Sequence, residues 1–306
     1  MRILFTGASS FTGYWFVNEL AAQGHDVVAP MRGTEDSYSG LRGTRVAKLS
    51  KSAEIVWSCP FGEADFLRLA GRGSFDLLCH HAARVANYRS PNFDALGAAA
   101  ENTRSLPSQL QAMRDGGLKG LVLTGSIFEQ DEGVGSAPLR AFSPYGLSKG
   151  ITAQIARYWC EILNIPMGKF VIPNPFGILE EPRFCAYLVK CWKAGEAAEV
   201  RTPQYVRDNV HVALLAKTYA WFASELAAEG RTMTFNPSGY VESQGAFAER
   251  VARELGSRLR LECRVRLATQ TDFSEPLVRI NTTQASSVVT GWNELGTWDN
   301  YAEYYR

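Results

Sequence analysis

The sequence has little that could hold a metal ion or grip a nucleic acid. Its six cysteines, Cys59, Cys79, Cys160, Cys185, Cys191 and Cys263, are scattered with no C-x-x-C pair. That spacing speaks against a zinc site, and a chain this long does not depend on a disulfide framework. They read as inert thiols in a reducing compartment. There is no dense Lys/Arg run, and 32 basic residues against 31 acidic ones leave a formal net charge of +1. The electrostatic footprint of a nucleic-acid or membrane-surface binder is therefore missing. No apolar run approaches the roughly 20 residues of a membrane span. Strand-like Ile3-Leu4-Phe5 follows Met1-Arg2 directly, with no signal-peptide pattern between them. The expectation is a cytoplasmic protein with no metal, no nucleic acid and no membrane partner. What is present is ordinary globular composition, 46% hydrophobic and 21% charged over 306 residues. That is enough for one large α/β domain or two of unequal size.

Strand and helix patterns alternate through the first half. Apolar runs at Ile3–Phe5, 26–30, 54–57, 76–80 and 120–124 read as strands. Helical spacing fills 12–23 and 92–114, the latter with Pro107 as a kink, and a further helix carries Lys149. Such alternation with short turns predicts a parallel sheet covered on both faces. After residue 170 the rhythm changes: Pro173, Pro175, Pro182 and Pro203 punctuate shorter elements. Helices are expected at 209–228 and 243–256, and an aromatic tail at 286–305 is expected to pack. No internal repeat or low-complexity segment occurs.

Two motifs carry chemistry. Thr6-Gly7-Ala8-Ser9-Ser10-Phe11-Thr12-Gly13 follows the first strand and opens the first helix. Glycines there allow positive φ at the reversal and close approach of backbone N–H groups to a pyrophosphate. Gly7 and Gly13 meet those needs; Ser10 stands where a dinucleotide fingerprint has its middle glycine, which is tolerable if its φ stays negative. Where an acidic residue usually accepts the adenosine ribose hydroxyls, at the end of the second strand, this chain has Met31 and then Arg32. An arginine can pair with a 2′-phosphate, so the residues favour NADP(H), with NAD(H) left open. The plainer account is a solvated arginine in a loop that also holds Glu35 and Asp36.

The second motif is Tyr145-Gly146-Leu147-Ser148-Lys149. Positions i and i+4 share a helix face, so a phenol and an ammonium point at one site. A free tyrosine titrates near 10, and nearby cations favour the phenolate, so Lys149, with the positive nicotinamide of an oxidised cofactor, is expected to lower Tyr145. The pair could exchange a proton with a substrate oxygen while hydride moves to or from a nicotinamide. Ser126, at the end of Leu121-Val122-Leu123-Thr124, is the natural third member, orienting the same oxygen from the ligand crevice.

These residues together resemble the extended short-chain dehydrogenases/reductases of the nucleotide-sugar epimerase/dehydratase family, over nearly the whole length. His80-His81-Ala82-Ala83 is similar to the family's H-x-A-A segment, Asn102 to the asparagine opening its long helix, and Pro173-Asn174-Pro175-Phe176-Gly177 to its R-x-x-N-x-Y-G element. Arg207-Asp208-Asn209-Val210-His211-Val212 resembles R-D-x-x-H-V, and Gly291-Trp292 the C-terminal L-G-W segment.

The resemblance implies a Rossmann-type doubly wound sheet in residues 1–170, with segments near 205–225 returning to it. A smaller mixed substrate-binding domain is implied for most of 171–306. It implies cofactor contacts from Gly7, Ser10, Phe11, Thr12, Gly13, Arg32, His81, Ala82, Ala83, Asn102, Tyr145, Lys149 and Pro173. Substrate contacts are implied from Asn174, Arg207 and Arg279, the substrate being a nucleotide-diphosphate sugar, and a homodimer by analogy. The histidine side chains themselves read as satisfied core groups.

Departures narrow the reaction. Val171 replaces the arginine of the R-x-x-N element, Cys59 an aspartate near adenine, and Ala213-Leu214 a common acidic pair. The stretch from Ser126 to Tyr145 is shorter than the family's usual one. Ser126 is followed by Ile127-Phe128, not by the Asp-Glu pair of the dehydratases or the glutamate of the decarboxylating branch. A 4-ketoreductase is then favoured slightly over a C4 epimerase that retains its cofactor. A non-catalytic dinucleotide-binding regulator is the reading from another class.

Overall fold

A computed structural model describes all 306 residues. Five strands of the first half, Arg2–Thr6 (β1), Asp26–Pro30 (β2), Glu54–Val56 (β3), Leu77–His80 (β4) and Gly120–Ser126 (β5), are joined by Met167–Ile172 and Met233–Phe235 in one seven-stranded sheet. From edge to edge the order is Met233–Phe235, Met167–Ile172, β5, β4, β1, β2, β3, and every pairing is parallel. The strand order reverses between β1 and β4, which opens a crevice at their C-terminal ends.

Alternation along the strands divides the core in two. Ile3, Phe5, Leu77, Cys79 and Val122 face one side, against helices Phe11–Ala22 (α1) and Val212–Glu229. Leu4, Leu78, Leu121 and Leu123 face the other, against helices drawn from 64–115 and the helix Pro144–Ile162. Both faces are covered, so the buried strands read as continuous apolar runs. Phe16 of α1 stacks on Tyr219 at 4.1 Å between ring centroids, seating the helix that begins at the glycine turn.

The second region holds a three-stranded mixed sheet of Asn174–Phe176, Val206–His211 and Tyr240–Ser243. Around it lie the helices Phe184–Lys193, Gln244–Leu259 and Glu294–Tyr305. Phe176, Trp192, Phe247, Trp298 and Tyr301 form its core.

Two helix expectations change. The stretch 92–114 is two helices, Ala95–Asn102 and Leu106–Asp115, separated where Ser105 takes φ 53°. Pro107 lies in the first turn of the second, where its missing N–H costs no bond, so it starts a helix and does not kink one. Residues 206–211 are a strand, and the helix expected from 209 begins at Val212.

Candidate active site

The turn between β1 and α1 is residues 7–10. Gly7 has φ +80°, and a Cβ there would lie 2.7 Å from the nitrogen of Ala82. Only glycine lets the turn press against the chain leaving β4. A Cβ on Gly13 would fall 2.3 Å from the Gly7 carbonyl oxygen. Ser10 has φ −73° and caps α1: its Oγ accepts from the Gly13 N–H at 3.1 Å and donates to the Gly7 carbonyl at 2.9 Å. The serine thus replaces a glycine's freedom with a cap. The N–H groups of Phe11 and Thr12 find no partner within the protein and open onto the cleft. Free first-turn donors beside a positive-φ glycine fit a dinucleotide pyrophosphate.

His81 forms the floor. Its Nδ1 lies 2.9 Å from Thr124 Oγ1, and its Nε2 lies 3.0 Å from Ser10 Oγ and 3.1 Å from Thr12 Oγ1. His80 is held by Thr6 Oγ1 at 2.9 Å and the Asn102 carbonyl at 2.8 Å. Burial pushes His80 down to about 4 and His81 to about 3, so both are neutral struts at physiological pH.

At the end of β2, Met31 is buried and Arg32 is exposed to the cleft without an ion pair. Arg42, on the helix Gly40–Leu49, lies over the Tyr38 ring at 5.1 Å and donates twice to Ser9 Oγ, at 2.8 and 3.0 Å. Arg45 is fully engaged and 1% exposed, donating to the carbonyls of Ser9 at 3.0 Å and Leu179 at 2.8 Å and pairing with Glu181 at 2.5 Å.

The helix Pro144–Ile162 starts at a Ser143 cap with Pro144 in its first turn, which fixes the phase that turns Tyr145 and Lys149 to the cleft. Lys149 is buried and its Nζ donates to the Thr124 carbonyl at 2.6 Å. The Tyr145 ring packs edge-on against Tyr88 at 5.5 Å and Phe93 at 6.0 Å. Burial pushes its phenol up to about 12, Glu129 and Tyr88 add to the rise, and Arg183 opposes it. Lys149 is not among the charges that move it, so the expected lowering by Lys149 does not hold in this structure. The ammonium is aimed at a carbonyl, and burial outweighs it. Ser126 Oγ accepts from the Phe128 N–H at 3.2 Å, which leaves its own proton free for the cleft.

One cleft of about 1430 Å³ takes in the turn, Arg32, the Ser126/Tyr145/Lys149 set and, on the far side, Asn174 and Arg207. Asn174 Nδ2 is buried there without a partner. A model of the NAD dependent epimerase/dehydratase family matches residues 3–236. The chain belongs to that family of enzymes.

Over 159 residues it is 26% identical to a dTDP-6-deoxy-L-talose 4-dehydrogenase (NAD(+)) of Aggregatibacter actinomycetemcomitans, covering 50% of this chain and 53% of the relative. The chain thus matches about half the length of that curated relative. Among solved structures it is similar to a UDP-glucose-4-epimerase from Stenotrophomonas maltophila with bound NAD and formylated UDP-arabinopyranose, with a TM-score of 0.77 at 18% identity, covering 100% of this chain and 98% of the other. It is also similar to a dTDP-glucose 4,6-dehydratase from Streptomyces venezuelae with NAD and TYD bound, with a TM-score of 0.73 at 19% identity over 100% and 97% of the two chains. No helix is long and apolar enough to cross a membrane, and no His/Cys/Asp/Glu group could hold a metal ion.

Of three residues assigned by resemblance to this epimerase/dehydratase family, Arg279 stands away from the cleft, and Arg207 and Asn102 line it with partners already in place. Arg279 is 1% exposed and lies outside the cleft lining; it donates to the carbonyls of Glu129, Glu132 and Arg140 at 3.3, 2.7 and 2.6 Å. It clamps the loop after β5 and cannot reach a substrate. Arg207 does line the cleft, but it pairs with Glu275 at 2.7 Å, lies over the Tyr205 ring at 4.5 Å and donates to three carbonyls. Asn102 has both side-chain ends occupied, accepting from the Arg84 N–H at 2.8 Å and donating to Thr152 Oγ1 at 3.2 Å. It lines the cleft and fixes the chain after β4.

Sequence reasoning missed Arg42, Tyr88, Phe93, Glu129, Lys169 and Glu180. Lys169 had a signal, a lone charge inside Met167-Gly168-Lys169-Phe170-Val171, an apolar strand buried on both faces. Glu129 lies only three residues after Ser126; the others reach the site from distant parts of the chain and carry no local mark.

Proposed function

We propose that the protein is an oxidoreductase that moves a hydride between a nicotinamide dinucleotide and a carbinol or ketone carbon of a nucleotide sugar. Reduction of a 4-keto sugar is the favoured direction. The observation that carries this reading is the sharing of one cleft by the glycine turn and by Ser126, Tyr145 and Lys149. The bound cofactor would supply the hydride. Phe11 and Thr12 would hold its pyrophosphate through their free N–H groups. The Ser126 hydroxyl would donate to the substrate oxygen, and Tyr145 would deliver the proton that balances the hydride. A phenol above its ordinary value is protonated at neutral pH, the form needed for reduction. Asn174, with a free amide donor, would meet a substrate oxygen.

Arg32 and Arg42 at the adenosine end, with Met31 in the acidic position, support NADP(H) as the preferred dinucleotide. The curated relative, a 4-dehydrogenase of a deoxysugar nucleotide, supports redox chemistry at that carbon. Epimerisation at C4 is the second reading, favoured by the likeness to a UDP-glucose-4-epimerase. A homodimer through the helix Pro144–Ile162 belongs to the same proposal, since Leu147, Tyr158 and Ile162 lie exposed along it.

Mass spectrometry of the dinucleotide released on denaturation, followed by turnover of 4-keto sugar nucleotides, tests the reading. Stoichiometric loss of NADPH absorbance is expected. Conversion with no net change in that band would replace the reductase with the epimerase, and retained NAD(H) would overturn the reading of Arg32.

A further inference from the structure

Beneath Ser126 lies a charged cluster that nothing in the catalytic chemistry yet uses. Glu129 is 0% exposed, and its carboxylate accepts the Ser126 backbone N–H at 2.7 Å and the Lys169 ammonium at 2.6 Å. Lys169 donates also to Glu132 at 2.5 Å, and Glu132 in turn accepts from Asn236 at 3.0 Å. The cluster carries two carboxylates against one ammonium. Burial alone would discharge Lys169, but Glu129 and Glu132 together hold its ammonium above the usual lysine range. Room for it is made by Gly125: a Cβ there would sit 2.8 Å from Lys169 Cε and 3.1 Å from a Glu129 carboxylate oxygen. Arg279 fixes the same loop through the Glu129 and Glu132 carbonyls.

We infer that Glu129 is a positioning residue of the active site, its carboxylate fixing the Ser126 backbone and setting the electric field at Tyr145 and, against Lys169, at Lys149. Three features argue for more than a structural ion pair. A buried pair is of doubtful value to stability, because two charges must be desolvated. This one lies against the catalytic strand end and not in the distant core. The groups acting on Tyr145 are Glu129, Tyr88 and Arg183, and those acting on Lys149 are Glu129 and Lys169. Glu129 is the one charged group common to both sets. Its negative charge favours the protonated phenol and the charged ammonium, which is the pairing that ketone reduction requires.

The inference rests on Ser126, Tyr145 and Lys149 being the catalytic set, and its test needs no turnover. Alkaline titration of tyrosinate absorbance, taken as a difference against Tyr145→Phe, reports the Tyr145 phenol directly. Glu129→Gln should move that titration down by about one pH unit, whereas Lys169→Met, which removes no charge acting on Tyr145 itself, should move it far less. Glu132→Gln, which touches Lys169 but not Ser126, should move it less than Glu129→Gln. Should Lys169→Met fail to fold, the double variant Glu129→Gln/Lys169→Met takes its place and should titrate close to Glu129→Gln alone. With substrate, Glu129→Leu should lower kcat about tenfold or more while dinucleotide Kd holds. Glu129→Gln should recover part of that loss, because its amide oxygen still accepts from Ser126. No downward shift in Glu129→Gln, or a Lys169→Met shift as large as it, would overturn the inference. So would a Glu129→Leu enzyme that differs from wild type only in melting temperature. Activity surviving in Tyr145→Phe would instead sink the catalytic reading and leave the titration result standing.

Discussion

The two ends of the cleft are built by different rules. At the dinucleotide end, the turn, cap and floor are satisfied within the protein, and facing the cleft are free backbone N–H donors, Arg32 with no ion pair, and Arg42 held by Ser9 Oγ. At the substrate end, the arginine expected to meet a diphosphate is already paired with Glu275. An asparagine donor there is unpaired, and a buried carboxyl, Glu180, is pushed up to about 7 by its burial. One end is preformed, whereas the other has contacts that a ligand must exchange. Preformed sites lose little free energy on binding, and exchanged contacts convert that free energy into selectivity.

The sharpest way to break this comparison is at the junction of the two ends. Tyr145→Phe should lower turnover by roughly 10³-fold while leaving dinucleotide Kd within about twofold, read by initial rates and fluorescence titration. Equal losses in both would show that the phenol serves binding and not proton transfer.

The next effect is on stability and belongs to the substrate end. Glu180 has a folded value of about 7 against an ordinary 4.5. Below the ordinary value both states are protonated. As pH rises toward 7 the unfolded chain releases the proton first, so folding stability falls across that window and then levels. The full difference is of the order of 3 kcal/mol. Denaturant unfolding of Glu180→Gln should show a flatter pH dependence than wild type between about 4.5 and 7. Parallel curves would remove Glu180 from the list of strained groups.

At the dinucleotide end, the double variant Arg32→Ala/Arg42→Ala should weaken NADPH binding about 10- to 100-fold, with NADH binding changed far less. Equal weakening of both would mean that the arginines meet the shared pyrophosphate or merely hold the turn. The smallest expected effect is at Glu275. Its carboxylate is about half exposed, so the pair with Arg207 is screened by solvent. Glu275→Gln should tighten binding of UDP or dTDP by about two- to fivefold in calorimetry, with the gain shrinking at high salt. Weaker binding would show that Glu275 orients Arg207 for the ligand.

The same contrast explains what could be read in the sequence. The dinucleotide end is made from a strand, a turn and a helix that are consecutive in the chain, so its geometry is written in one short stretch, Thr6 to Gly13. The spacing of Tyr145 and Lys149 is equally local. The parallel sheet followed from strand and helix alternation, and its doubly wound form from the family resemblance. Arg279 shows where such reading stops: it is expected at the substrate, yet its guanidinium is turned into the loop after β5 by three carbonyls about 140 to 150 residues away. Glu129 and Lys169 lie 40 residues apart and meet only because the loop after β5 folds over the neighbouring strand Met167–Ile172. Tyr88 and Phe93 look like loop aromatics until the chain folds them onto Tyr145. The expected effect of Lys149 on Tyr145 failed for a related reason, since helical spacing gives direction but says nothing of depth.

Arg45 has a consequence for how the halves move. Its side chain runs from the carbonyl of Ser9, beside the phosphate turn, to Leu179 and Glu181 on the opposite wall. Swinging the walls apart would strand a desolvated guanidinium between them. The gap is therefore set by a strut inside the protein, and adjustment to different guests falls to the rim.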